Sequence, residues 1–147
     1  VHSLCTLMQP KTYEDERCQM RAESPKPGVL CSVVSGYATM RCVEMLMKAF
    51  DEVARESPGE RIDAFHDWEG VRGYAAGVME RYTEWSKLHR DRVHKIHVLV
   101  SSRMVAMAIS VARLALPYLV GFSDRTEFEK VRFHRSGWLG PSRKGHA

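Results

Sequence analysis

From Val29 to Phe133 the chain switches repeatedly between two periods, and this alternation limits it to very few architectures. Val29–Ser35 (VLCSVVS) is rich in β-branched residues and predicts a strand, broken at Gly36. From Thr39 to Glu56 the period is helical: Met40, Val43, Met47, Phe50 and Ala54 recur at three- and four-residue spacing, and Leu46 and Val53 widen the stripe. Ser57-Pro-Gly-Glu60 ends that helix, since proline cannot continue it. Ile62–Trp68 then reads as a buried strand, Tyr74–Val93 as a helix and Lys95–Ser101 as a strand. Arg103–Leu116 reads as a helix, Tyr118–Phe122 as a short strand, and a final helix opens at about Arg125. Strands alternating with helices imply a largely parallel sheet joined by right-handed crossovers.

The start of the chain adds an antiparallel element. In Arg17–Glu23, Cys18, Met20 and Ala22 share one face of a strand. Ser24-Pro-Lys-Pro-Gly28 is the clearest turn in the sequence and makes this strand the hairpin partner of Val29–Ser35. Lys11–Glu16 is charged and reads as a loop, and Val1–Met8 as an edge strand or a loose arm. The expected fold is α/β: a single layered domain over residues 1–135 with about five strands, mostly parallel, an antiparallel N-terminal hairpin strand and about four helices. A basic, glycine-rich tail follows over residues 136–147, with Trp138 and Leu139 as its expected anchors.

Composition removes several function classes. A length of 147 residues fits one domain, with 44% hydrophobic and 27% charged residues. The net charge of +4 is mild, and much of it lies near the C-terminus. That argues against nucleic-acid binding, which concentrates Lys and Arg on one face. Cys5, Cys18, Cys31 and Cys42 form no C-x-x-C pair, so no zinc ribbon is expected. With no secretory signal in Val1–Met8, reduced thiols and a cytoplasmic location are the expectation. No apolar run approaches the ~18 residues of a membrane-spanning helix.

The segment Arg61–Gly73 (RIDAFHDWEGVRG) organises the chain: a strand ends in polar and aromatic residues before a glycine-bounded turn into a helix. Strand ends of this kind carry the sites of α/β proteins. His66 and Asp67 can be read as acid–base or ligand-contacting groups at a pocket mouth, with Trp68 as a wall and Glu69 beside them. The plainer reading makes Asp67 a turn cap, His66 a hydrogen-bonded or solvated residue and Trp68 a cover for the core edge. Alternation favours the second, because it points His66 and Asp67 to opposite faces. His89 and His94 are five positions apart, not the four that align two metal ligands on a helix, and no metal site is expected. Ser101, Ser102 and Arg103 can hold an anion at a helix start, although capping alone accounts for both serines. Gly70, Gly73 and Gly77 match no nucleotide-binding fingerprint, no nucleophile sits in a recognisable elbow, and no cofactor is expected. The Arg103–Leu116 helix is apolar nearly all round, which means deep burial or half of an interface.

The hairpin ending in Val29–Gly36, the Met40–Ala54 helix, the strand ending in Phe65-His-Asp-Trp68, the Lys95–Ser101 strand and the Phe122–Phe128 segment together resemble the SpoIIAA-like or STAS (STAS/SEC14-like) group. The resemblance covers about Arg17 to Phe133. It implies a mostly non-enzymatic protein, of which the anti-sigma-factor antagonists bind a kinase-like partner and are switched by phosphorylation of a serine just after the central strand. Glu69–Gly77 departs from that pattern: it contains no Ser or Thr, and Tyr74 supplies its one hydroxyl. The resulting expectation is a non-catalytic regulatory or protein-interaction domain without the phosphoserine switch. Its partner would be itself or a regulator, recognised through His66, Asp67, Trp68, Glu69, Tyr74, Ser102 and Arg103. The alternative is a carrier for a small apolar molecule or lipid, which the methionine-rich helices permit.

Overall fold

The computed structural model, which describes residues 8–141, is a six-stranded sheet with helices on both faces. The elements run β1 (Met8–Glu14), β2 (Cys18–Ser24), β3 (Val29–Ala38), α1 (Met40–Glu56), β4 (Ile62–Tyr74), α2 (Val78–Leu88), β5 (Val93–Val100), α3 (Arg103–Ala112), β6 (Leu119–Phe122) and α4 (Arg125–Ser136). Strands are ordered in space as in sequence. The pairs β1–β2 and β2–β3 are antiparallel, and β3 to β6 run parallel.

The sheet has six strands where about five were expected, and the additional one lies at the N-terminal edge. Lys11–Glu16 is not a loop: β1 occupies Met8–Glu14 and pairs with β2 from Lys11↔Ala22 to Glu14↔Gln19. An edge strand needs backbone partners and not an apolar face, so its charged side chains hid it. Lys11 forms an ion pair with Glu52 of α1. The expectation for residues 1–7 lies outside the described residues.

Two glycines that read as breaks are built into strands. At Gly36 the backbone is left-handed (φ 92°), and a Cβ there would collide with the Arg17 carbonyl oxygen. β3 therefore continues through it, with the Tyr37 amide donating to that carbonyl at 2.7 Å. Gly70 lies against Ser35 at a register shift between β3 and β4, so the expected turn after Trp68 is instead an irregular extension of β4 to Tyr74. The following helix is correspondingly shorter than Tyr74–Val93: it starts at Val78 after Gly77 and ends at Leu88, before a 3₁₀ turn at Arg90–Arg92.

Helix starts follow their caps. Thr39 accepts from the Cys42 amide at 3.3 Å, Ser102 from Val105 at 3.4 Å and Asp124 from Thr126 at 2.8 Å. Glu127 pairs with Lys130. One face of the sheet carries α1, α2 and α3 over the main core, which includes Leu30, Val34, Ile62, Ile96 and Val98. The other face carries α4, whose Phe128 closes a smaller core with Val29, Cys31, Phe65 and Leu99. Past the left-handed Gly137, Trp138 stacks on Arg132 at 5.0 Å. Leu139 is exposed and does not anchor the tail, because the neighbouring Trp138 takes the position over Arg132.

Candidate functional site

The parallel strands β4 and β5 put alternate side chains of Ile62–Trp68 on opposite faces, and this separates the residues singled out in the sequence. His66 points into the main core and is 2% exposed. Its neighbour across β3 is Ser32, and Ser32 Oγ and His66 Nδ1 share a hydrogen bond of 2.7 Å. The ring stacks on Trp68 at 5.5 Å and meets Tyr82 edge-on. Burial, with a smaller push from His97, lowers the His66 pKa to about 3, so the imidazole is neutral. His66 is therefore a satisfied core histidine and does not stand at a pocket mouth. Trp68 covers the core edge, its indole Nε1 buried without a partner.

Asp67 faces the other way, towards α4. Arg125, the first residue of α4, donates to Asp67 Oδ2 at 2.7 Å, to Glu69 Oε1 at 3.0 Å and to Glu129 Oε1 at 2.9 Å. Asp67 Oδ1 also accepts from the Glu69 amide at 3.2 Å. Burial disfavours the charged guanidinium, but the bonds to Asp67, Glu129 and Glu69 outweigh it and raise the Arg125 pKa. This cluster ties α4 to the sheet: three carboxylates converge on one guanidinium, and the two Asp67 oxygens are engaged by Arg125 and by the Glu69 amide. Sequence alone does not link Arg125 to Asp67, because the two are 58 positions apart and meet only in the folded chain.

The remaining candidates lie elsewhere. Ser102 caps α3, Arg103 is exposed beside it, and Ser101 donates to the Glu69 carbonyl at 2.8 Å. Tyr74, half-buried at the end of β4, lines a groove between α2 and α3. The histidines are dispersed: His89 bonds the Trp85 carbonyl, His94 bonds Asp63 at 2.7 Å, and His97 bonds the Ala64 carbonyl at 3.0 Å. Among the described residues no three His, Cys, Asp or Glu side chains are placed to hold a metal. Cys18, Cys31 and Cys42 are buried free thiols; burial raises the pKa of Cys31 and Cys42, which keeps both protonated.

The most unusual surface is α3. Val105, Ile109 and Ala112 are buried, while Met104, Met107, Val111 and the following Leu114 stand in solvent, with Met107 69% and Leu114 87% exposed. The helix is thus neither buried all round nor covered, and its outer side is an apolar ridge. Beside the ridge runs an open groove of about 390 Å³ whose far wall on α2 bears Met79, Glu80, Thr83 and Glu84. The two enclosed apolar spaces in the main core each hold only about 10 Å³.

Among solved structures, the chain is similar to an uncharacterised protein from the DUF3478 family, with a SpoIIAA-like fold, from Shewanella loihica PV-4. The match has a TM-score of 0.56 at 12% identity and covers 84% of this chain and 91% of that one. The chain has a SpoIIAA-like fold. At that identity the likeness concerns architecture alone. No family model matches the sequence. No curated protein matches it either. Within the SpoIIAA-like fold, the sheet order, the hairpin entry and the four helices account for the pattern read from Val29 to Phe133. No helix among the described residues is long and apolar enough to cross a membrane.

Proposed function

We propose that this chain is a non-catalytic protein-interaction module of the regulatory kind, working without a phosphoserine switch. The observation that carries the reading is the α3 ridge, where Met104, Met107, Val111 and Leu114 stand exposed at helical spacing. Leaving four large apolar side chains in water on one face is unfavourable by about 1.5–3 kcal/mol for each one that a partner could bury. The non-catalytic part is supported by the state of the polar candidates: His66 is buried and bonded to Ser32, and Asp67 is bound to Arg125. The loss of the switch is supported by Glu69–Gly77, which offers no Ser or Thr.

A small apolar ligand is the second reading, favoured by the volume of the α2–α3 groove, which falls in the range of ligand sites. Both readings place the contact on the same face. The test is affinity capture from the source organism with the full chain and with Met107→Asp, followed by mass spectrometry. A protein retained by the parent and lost with Met107→Asp supports the interaction module. Identical captures overturn the assignment to α3.

A further inference from the structure

The face proposed above has a ridge and a groove side by side, and its charges are sorted to match. Both α2 and α3 are crossover helices of a parallel sheet, so they run in the same direction. At 100° per residue, Ala108, Val111 and Ala115 turn towards α2 and floor the groove, whereas Ser110 and Arg113 fall on the side of α3 away from the groove and Arg103 borders the ridge on that same side. The far wall of the groove carries Glu80 and Glu84. From one side to the other the face therefore reads acidic wall, apolar groove, apolar ridge, basic flank. Among the described residues Arg103, Arg113 and Glu80 have no ion-pair partner, and Glu84 has only the exposed Lys87 at 3.3 Å.

We propose that the occupant of this face is a second copy of the chain, with the α3 ridge of each copy seated in the α2–α3 groove of the other. The pairing is two-fold about an axis running along the helices. Such a rotation exchanges left and right, so each ridge meets a groove and each Arg103/Arg113 flank meets a Glu80/Glu84 wall. An axis across the helices would instead set acidic wall against acidic wall, which opposes association. The ridge supplies the buried apolar centre and the matched charges supply the rim and the register. This inference rests on the reading of α3 as an interaction face and adds the identity of the partner.

Sedimentation equilibrium of the full chain, from about 1 to 100 μM, measures the pairing directly. The parent is expected to form dimers over this range, and Met107→Asp to shift dissociation at least tenfold. Arg113→Glu is expected to weaken the dimer, and the charge exchange Arg113→Glu with Glu84→Arg to restore most of what Arg113→Glu loses. Met107, Arg113 and Glu84 are all exposed, and circular dichroism confirms that each variant is folded. A parent that stays monomeric overturns self-pairing. So does a dimer indifferent to Met107→Asp, or a charge exchange that restores nothing. A monomeric parent whose captured protein is still lost with Met107→Asp keeps the interaction reading while removing this one. A monomeric parent that co-sediments with phosphatidylglycerol vesicles gives the ridge to a membrane surface and removes both.

Discussion

Arg125 Nη2 lies 2.7 Å from Asp67 Oδ2, which joins the first residue of α4 to the seventh position of the sequence segment Arg61–Gly73. Asp67 is buried on this face, while Glu69 and Glu129, which share the same guanidinium, are partly exposed. Arg125→Ala would leave a buried carboxylate without its counter-charge. The expected cost is about 1–3 kcal/mol, below that of a fully buried pair because Arg125 itself is a third exposed. Urea denaturation of Arg125→Ala measures it, and adding Asp67→Asn should recover part of the loss.

Folding holds His66 neutral, with its pKa lowered from 6.5 to about 3 by burial. As pH falls, the unfolded chain takes up this proton first, so stability declines between about pH 6.5 and 3 and His66 contributes no pH dependence above that window. The expected loss is about 2 kcal/mol by pH 5. His97, whose pKa burial also lowers, acts in the same direction. In His66→Gln the slope of stability against pH should be shallower by close to one proton. An unchanged slope would locate the titration elsewhere.

Phe128 is fully buried and is the one α4 side chain in the smaller core with Phe65 and Leu99. Phe128→Ala should cost about 3–5 kcal/mol. Hydrogen exchange should show the α4 amides losing protection before those of α1, since the main core is untouched.

Gly36 and Gly59 both have left-handed backbones, but only Gly36 is enclosed. Gly36→Ala must break contact with the Arg17 carbonyl as well as adopt an unfavourable φ, and should cost more than about 2 kcal/mol. A Cβ at Gly59 meets nothing within 4 Å, so Gly59→Ala should cost only about 1–2 kcal/mol. Thermal melts of the two variants side by side separate crowding from backbone strain.

The elements visible in the sequence were those whose side chains face a core. Cys18, Met20 and Ala22 alternate because α1 covers one side of β2. The stripe from Met40 to Ala54 is helical because it packs over β1 to β3. β1 was illegible because backbone pairing defines an edge strand and leaves little trace in side chains. The continuation of β4 past Gly70 was hidden for a related reason: glycine there serves the close approach of Ser35 and does not mark a turn. For the candidate site, alternation correctly parted His66 from Asp67. It could not find their partners, Ser32 and Arg125, which lie 34 and 58 positions away. The apolar α3 sequence was legible as buried or interfacial, and the structure leaves its outer side exposed.

The lopsided covering of the sheet, three helices on one face and α4 on the other, also bears on how the protein is made. α4 follows every strand that it covers. During synthesis the main core can close while Phe65 and Leu99 still face solvent, and they stay bare until Phe128 has cleared the ribosome. A released chain truncated after Asp124 should therefore carry a formed sheet with one adhesive side, the natural target for a chaperone.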